Sequence, residues 1–114
     1  MHSDGKFEIC WDPLDGSSIV DNNWAVGTII GVWGSETGIL GATGRDQKTA
    51  LVALYGPRTT VFVALDDGVY EFTYGANGVD GWLCSREQIE VAKDSKIFAP
   101  ANMRAAQEVR VHIC

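Results

Sequence analysis

The chain's 114 residues suffice for one domain with a modest core, and 46% hydrophobic with 21% charged residues is ordinary globular composition. Its 15 acidic and 9 basic residues give a formal net charge of −6, which argues against a nucleic-acid partner, because phosphate-backbone binding needs clustered Lys and Arg. With no apolar run of the ~18 residues a membrane span takes, and no basic-then-apolar leader at its start, the sequence predicts a soluble protein without a membrane partner.

FEICW, residues 7–11, alternates apolar and polar with Phe7, Ile9 and Trp11 on one face, and predicts a strand that stops at Asp12 and Pro13. DPLDGSS, 12–18, follows directly. WAVGTIIGVW, 24–33, is β-branched and nearly all apolar, as a buried central strand would be, and the glycine-rich stretch 34–44 predicts a loop. RDQKTALVALYG, 45–56, sets Ala50, Leu51, Leu54 and Tyr55 at helical spacing ahead of Gly56 and Pro57, which predicts a helix. TTVFVAL, 59–65, and VYEFTY, 69–74, flank Asp66, Asp67 and Gly68 and predict a hairpin. GANGVDG, 75–81, is turn chemistry; WLCS and KIFAP suggest short strands, and NMRAAQEV from 102 opens a helix.

The pattern is that of a mixed α+β chain with much antiparallel pairing, and it shows no repeat and no linker. It divides into a loop-bearing region 7–33, a helix and hairpin region 45–74, and a final region 82–114. The chain starts almost directly on a core-like strand and stops just after a helix opens, so a piece of a longer protein is expected. Trp11, Trp24, Trp33 and Trp82 read as core residues, not as a base-stacking platform. Cys10, Cys84 and Cys114 are odd in number and widely spaced, which fits a reducing compartment better than a disulfide framework. Cys10 reads as a buried small hydrophobe, and with His2 and His112 near opposite ends a zinc site is not expected.

The densest chemistry is DPLDGSS. Asp12 and Asp15 lie three apart around a proline at a strand end, where two carboxylates can be held in a fixed relation. Hard cations such as Mg²⁺ prefer carboxylate and carbonyl oxygens, which Asp12, Asp15 and the Leu14 carbonyl can supply. Gly16 frees the backbone, and successive N–H groups at 16, 17 and 18 can form an anion-binding nest for a phosphoryl group. The alternative is a plain type I turn, for which Asp, Pro and Gly are common composition. An EF-hand fails on spacing, because Pro13 and Leu14 would stand where oxygen ligands belong and Asn23 where a bidentate Glu belongs; no P-loop sequence is present.

DPLDGSS at the end of a hydrophobic strand resembles the metal and phosphate motif of the lithium-sensitive sugar phosphatase superfamily, which includes the fructose-1,6-bisphosphatases, the sedoheptulose-1,7-bisphosphatases and the inositol monophosphatases. The double serine Ser17 and Ser18 leans toward the sugar bisphosphatases. SSIVDNNWAVGTIIGVW, TGRDQ, LYGPRTT and KIFAPANMRA look most like the sedoheptulose-1,7-bisphosphatase family, over roughly residues 5–108. The resemblance implies an α+β fold of layered sheets and helices, only a portion of which this chain would carry.

It also implies metal binding by Asp12, Asp15 and the Leu14 carbonyl, with Asp15 as catalytic residue. Asp15, Gly16, Ser17 and Ser18 would cradle the phosphate to be cleaved, and Asn102 would contact the distal phosphate. Arg45 and Arg58 are candidate phosphate partners whose alternative is a surface ion pair. The implied reaction is hydrolysis of a sugar bisphosphate at its 1-phosphate, from sedoheptulose 1,7-bisphosphate to sedoheptulose 7-phosphate in the Calvin cycle, with Mg²⁺ or Mn²⁺ as cofactor. The implied enzyme is a homo-oligomer of the plastid stroma, or otherwise of the cytoplasm. In the family, further carboxylate ligands lie upstream and downstream of the part represented here, and Glu8 stands at the wrong place to substitute. The isolated chain is therefore expected to be inactive. The alternatives are a fructose-1,6-bisphosphatase and a non-catalytic acidic α+β domain.

Overall fold

The computed structural model describes residues 5–36, 38–78 and 80–94. Six strands pair antiparallel in chain order: β1 (Phe7–Asp15), β2 (Val26–Gly34), β3 (Gln47–Tyr55), β4 (Thr59–Leu65), β5 (Gly68–Tyr74) and β6 (Trp82–Arg86). Short 3₁₀ segments lie at Ser17–Asn22, Gly44–Asp46 and, interrupted by a left-handed Asn77, at Ala76–Gly78. The expected hairpin is β4 and β5: Leu65 pairs with Gly68 around Asp66 and Asp67, and Tyr70 donates its hydroxyl to the Asp67 carboxylate at 2.9 Å.

The helix expected over 45–56 is a strand. Residues 50–54 are an unbroken apolar run, which periodicity alone cannot assign to helix or strand. Tertiary pairing decides it, because β3 has a neighbour on each side; Leu51 sits opposite Ile30 of β2 and Val63 of β4. Its start is set by a capping box. Thr43 takes the Arg45 amide on its hydroxyl at 3.3 Å, and the Asp46 carboxylate accepts the Thr43 amide at 2.8 Å. That closes one turn, after which Gln47 is extended at φ −62°, ψ 136°.

The described residues therefore form one antiparallel sheet with short 3₁₀ turns and no α-helix; the expected layering of helices on sheets is not formed among them. The KIFAP strand, the helix from 102 and Asn102 lie outside the described residues.

A single layer leaves apolar side chains beside one another but under no facing layer, and no hydrophobic side chain is buried among the described residues. Trp11, Trp24 and Trp82 are accordingly 67%, 70% and 50% exposed, not core as expected. Trp33 is half-buried. It lies over Gly31, where a Cβ would come within 2.6 Å of the ring, and it donates its indole N–H to the Thr43 carbonyl at 3.2 Å. Cys10, expected to be buried, is exposed on the same edge strand as Trp11. The buried side chains are polar instead: Thr60, Thr73 and Glu71.

Candidate functional site

β1 is an edge strand, and it continues through the Asp12 and Pro13 position where a break was expected. Continuation is possible because the edge tolerates a residue without an N–H and because the pairing slips there. Asp12 stands opposite Ile29 and Asp15 opposite Gly27, so Pro13 and Leu14 together face Thr28 alone. Residues three apart in a regular strand point to opposite sides of a sheet. Ile29 and Gly27, two apart, lie on one face, so the bulge turns Asp12 and Asp15 to the same face.

The loop is fastened locally. Asp12 Oδ1 accepts the Leu14 amide at 3.1 Å, and the Pro13 carbonyl accepts the Thr28 hydroxyl at 2.9 Å. Thr28 Oγ1 also lies 2.8 Å from the Tyr55 hydroxyl. Gly16 then takes a left-handed conformation, φ 83°, ψ 18°, which a side chain rarely adopts. It caps the 3₁₀ turn of Ser17–Asn22, whose first internal bond is the Ile19 amide to the Gly16 carbonyl at 3.0 Å. The Ser17 and Ser18 amides precede that bond, as the first N–H groups of a helical turn do, and so stay available to an outside acceptor.

Asp12, Leu14, Asp15, Ser17 and Ser18 are all exposed, and Gly16 is half-exposed. The donor set of two carboxylates and a carbonyl is all oxygen, which fits a hard divalent cation that keeps part of its water shell. No group of three or more His, Cys, Asp or Glu side chains suited to a metal ion occurs among the described residues. Glu8 lies on the Asp12 face of β1, but its carboxylate is occupied by the Ile39 amide at 2.8 Å, where it ties down the loop between β2 and β3.

The two arginines separate. Arg45 sits before β3 at the sheet end where Trp33 pairs with Gln47, away from the loop. Arg58 follows β3 at the end where Val26 pairs with Tyr55, and its charge acts on Glu71 of β5. Asn102 is not brought to either place, since it lies outside the described residues. Sequence reasoning missed Thr28 and Tyr55. The signal was a hydroxyl within the apolar strand VGTIIGVW, where a polar group has to find a partner.

The chain is 47% identical over 107 residues to the chloroplastic sedoheptulose-1,7-bisphosphatase of Spinacia oleracea, covering 92% of this chain and 27% of that protein. It is 40% identical over 102 residues to a class 1 fructose-1,6-bisphosphatase of Citrifermentans bemidjiense, covering 90% and 30%. A crystal structure assigned to a sedoheptulose-1,7 bisphosphatase of Toxoplasma gondii superposes with a TM-score of 0.74 at 41% identity, covering 96% of this chain and 40% of that one. The chain thus spans well under half the length of these relatives. With the family model of the fructose-1,6-bisphosphatase N-terminal domain matching residues 1–86, the chain belongs to the fructose-1,6-bisphosphatase family.

Proposed function

We propose that this chain carries the metal and phosphate loop of a sugar bisphosphatase that hydrolyses sedoheptulose 1,7-bisphosphate to sedoheptulose 7-phosphate and inorganic phosphate. The observation that carries the reading is the β1 bulge, which turns Asp12 and Asp15 to one face immediately before the Gly16 turn. Asp12, Asp15 and the Leu14 carbonyl would hold Mg²⁺ or Mn²⁺. When bound, such a cation neutralises charge on the phosphoryl oxygens and lowers the pKa of a water.

The chain's own residues do the positioning. The Ser17 and Ser18 amides donate to the phosphoryl oxygens, Gly16 permits the turn that aims them, and Asn102 takes the distal phosphate. Asp15 belongs both to the residues that would hold the cation and to those that would cradle the phosphoryl group, and for that reason it is assigned as the catalytic residue. Fixed donors aimed at developing charge carry most of such a reaction, because the transition state is loose. The further carboxylate ligands that the family resemblance implies lie outside residues 12–18, so they come from other parts of the full-length enzyme, a homo-oligomer, and the isolated chain is inactive.

Similarity to the spinach protein supports sedoheptulose as substrate and the plastid stroma and Calvin cycle as setting. Similarity to the bacterial class 1 enzyme supports a second reading, fructose 1,6-bisphosphate in the cytoplasm. Turnover of both sugar bisphosphates by the full-length protein separates the two, with sedoheptulose 7-phosphate expected as the faster product. Asp12→Asn should abolish turnover of either substrate; unchanged turnover would leave the loop a structural turn.

A further inference from the structure

The geometry points to Thr28 and Tyr55 as positioning residues that hold the bulge carrying Asp12 and Asp15. The inference rests on the reading of residues 12–18 as a cation and phosphate loop and adds the device that fixes its shape. A bulge sets two residues opposite one and leaves a backbone group without its ladder partner. Pro13 has no N–H, so the group in need is its carbonyl, and the residue opposite the bulge, Thr28, supplies the hydroxyl that satisfies it at 2.9 Å.

A threonine hydroxyl has one proton and two lone pairs. With its proton committed to Pro13, Thr28 Oγ1 is the acceptor in its 2.8 Å contact with Tyr55, and the Tyr55 hydroxyl donates. The chain of bonds runs one way, from Tyr55 through Thr28 to Pro13. Tyr55 ends β3, so an edge strand is tied through β2 to the third strand of the sheet.

The carbonyl of Pro13 and the amide of Leu14 belong to one planar peptide group. Thr28 holds that plane by its oxygen and Asp12 Oδ1 holds it by its N–H, at 3.1 Å. A plane pinned at both ends sets the orientation of the segment between the two aspartates, including the step into the Leu14 carbonyl. Released from Thr28, it pivots about the Asp12 bond, and the proposed ligand oxygens lose their fixed relation.

Thr28→Val keeps the side-chain shape and removes the donor, Thr28→Ser restores it, and Tyr55→Phe removes only the upstream donor. Two readouts on the full-length enzyme decide the matter: amide hydrogen exchange, and Mn²⁺ affinity measured in inorganic phosphate. Thr28→Val should speed exchange at Leu14 and weaken Mn²⁺ binding, each about fivefold, the ratio that loss of one hydrogen bond gives. Thr28→Ser should return both to wild type, Tyr55→Phe should give a smaller change, and the Leu51 and Val52 amides of β3 should not move. Wild-type exchange at Leu14 in Thr28→Val would overturn the positioning role whatever the metal does. Faster exchange at Leu14 with no Mn²⁺ binding by the wild-type full-length enzyme would instead overturn the cation reading, and with it the assignment of this pair to a ligand loop.

Discussion

Asp12 and Asp15, at one edge of the sheet, and Glu71, next to the other, are carboxylates in opposite circumstances. Asp12 and Asp15 are exposed; Asp12 takes a single amide of its own loop, and the bulge turns both to one face. Glu71 on β5 is 2% exposed and takes three side-chain hydrogen bonds: Arg86 donates Nε at 3.1 Å together with Nη2, and Ser85 donates its hydroxyl at 2.7 Å. A buried charge has to be paired, and a carboxylate so buried and so engaged offers no face to a ligand. An exposed pair with open oxygens costs the fold little and can hold a cation. The carboxylate expected to matter to stability and those proposed for the chemistry are therefore different residues, and substitution should separate them.

The largest effect on stability is expected at Glu71. Hydrogen bonds from Arg86, then from Ser85, hold its carboxyl below the ordinary value of 4.5. A folded-state value lowered in this way contributes stability that is present in full above pH 4.5 and is lost as pH falls through the folded value. Glu71→Gln should lower the melting temperature at pH 7 more than any substitution in residues 12–18 and flatten this acid limb, while cation binding is unchanged. Thermal melts across pH 3–7 would check it; a limb as steep as in wild type would place the acid sensitivity elsewhere.

Gly16→Ala comes next. Its φ of 83° is open to glycine and strained for alanine, so about 1 kcal/mol of stability should be lost in urea unfolding, together with most of the phosphate-dependent cation binding. The smallest effect belongs to Ser18→Ala. Its side chain is exposed and the amide is the proposed donor, so stability should hold within about 0.5 kcal/mol and phosphate affinity within about twofold. A drop of tenfold or more in phosphate affinity would move the work from the backbone to the hydroxyl.

The same contrast divides what was legible in the sequence. The β4 and β5 hairpin and strand β2 could be read because turn residues and β-branched runs are local signals. The two close carboxylates of DPLDGSS stood out for the same reason, although β1 runs on through Asp15 where a break was expected. β3 could not, since an apolar run takes its state from the strands beside it, and those are set by pairing across the chain. The bulge was hidden because a proline after an aspartate signals a stop, whereas at an edge it marks the slip that brings Asp15 round to the Asp12 face. The tryptophans misled because size and apolarity predict burial only where a second layer covers the sheet.

The most direct test of the loop as a joint cation and phosphate site is calorimetric titration of Mg²⁺ or Mn²⁺ into the full-length enzyme and its Asp15→Asn variant, with and without inorganic phosphate. Binding strengthened by phosphate in the wild type and weakened about 30-fold or more in Asp15→Asn, roughly 2 kcal/mol, is the predicted result. Equal binding by the two chains, or binding indifferent to phosphate, would contradict it.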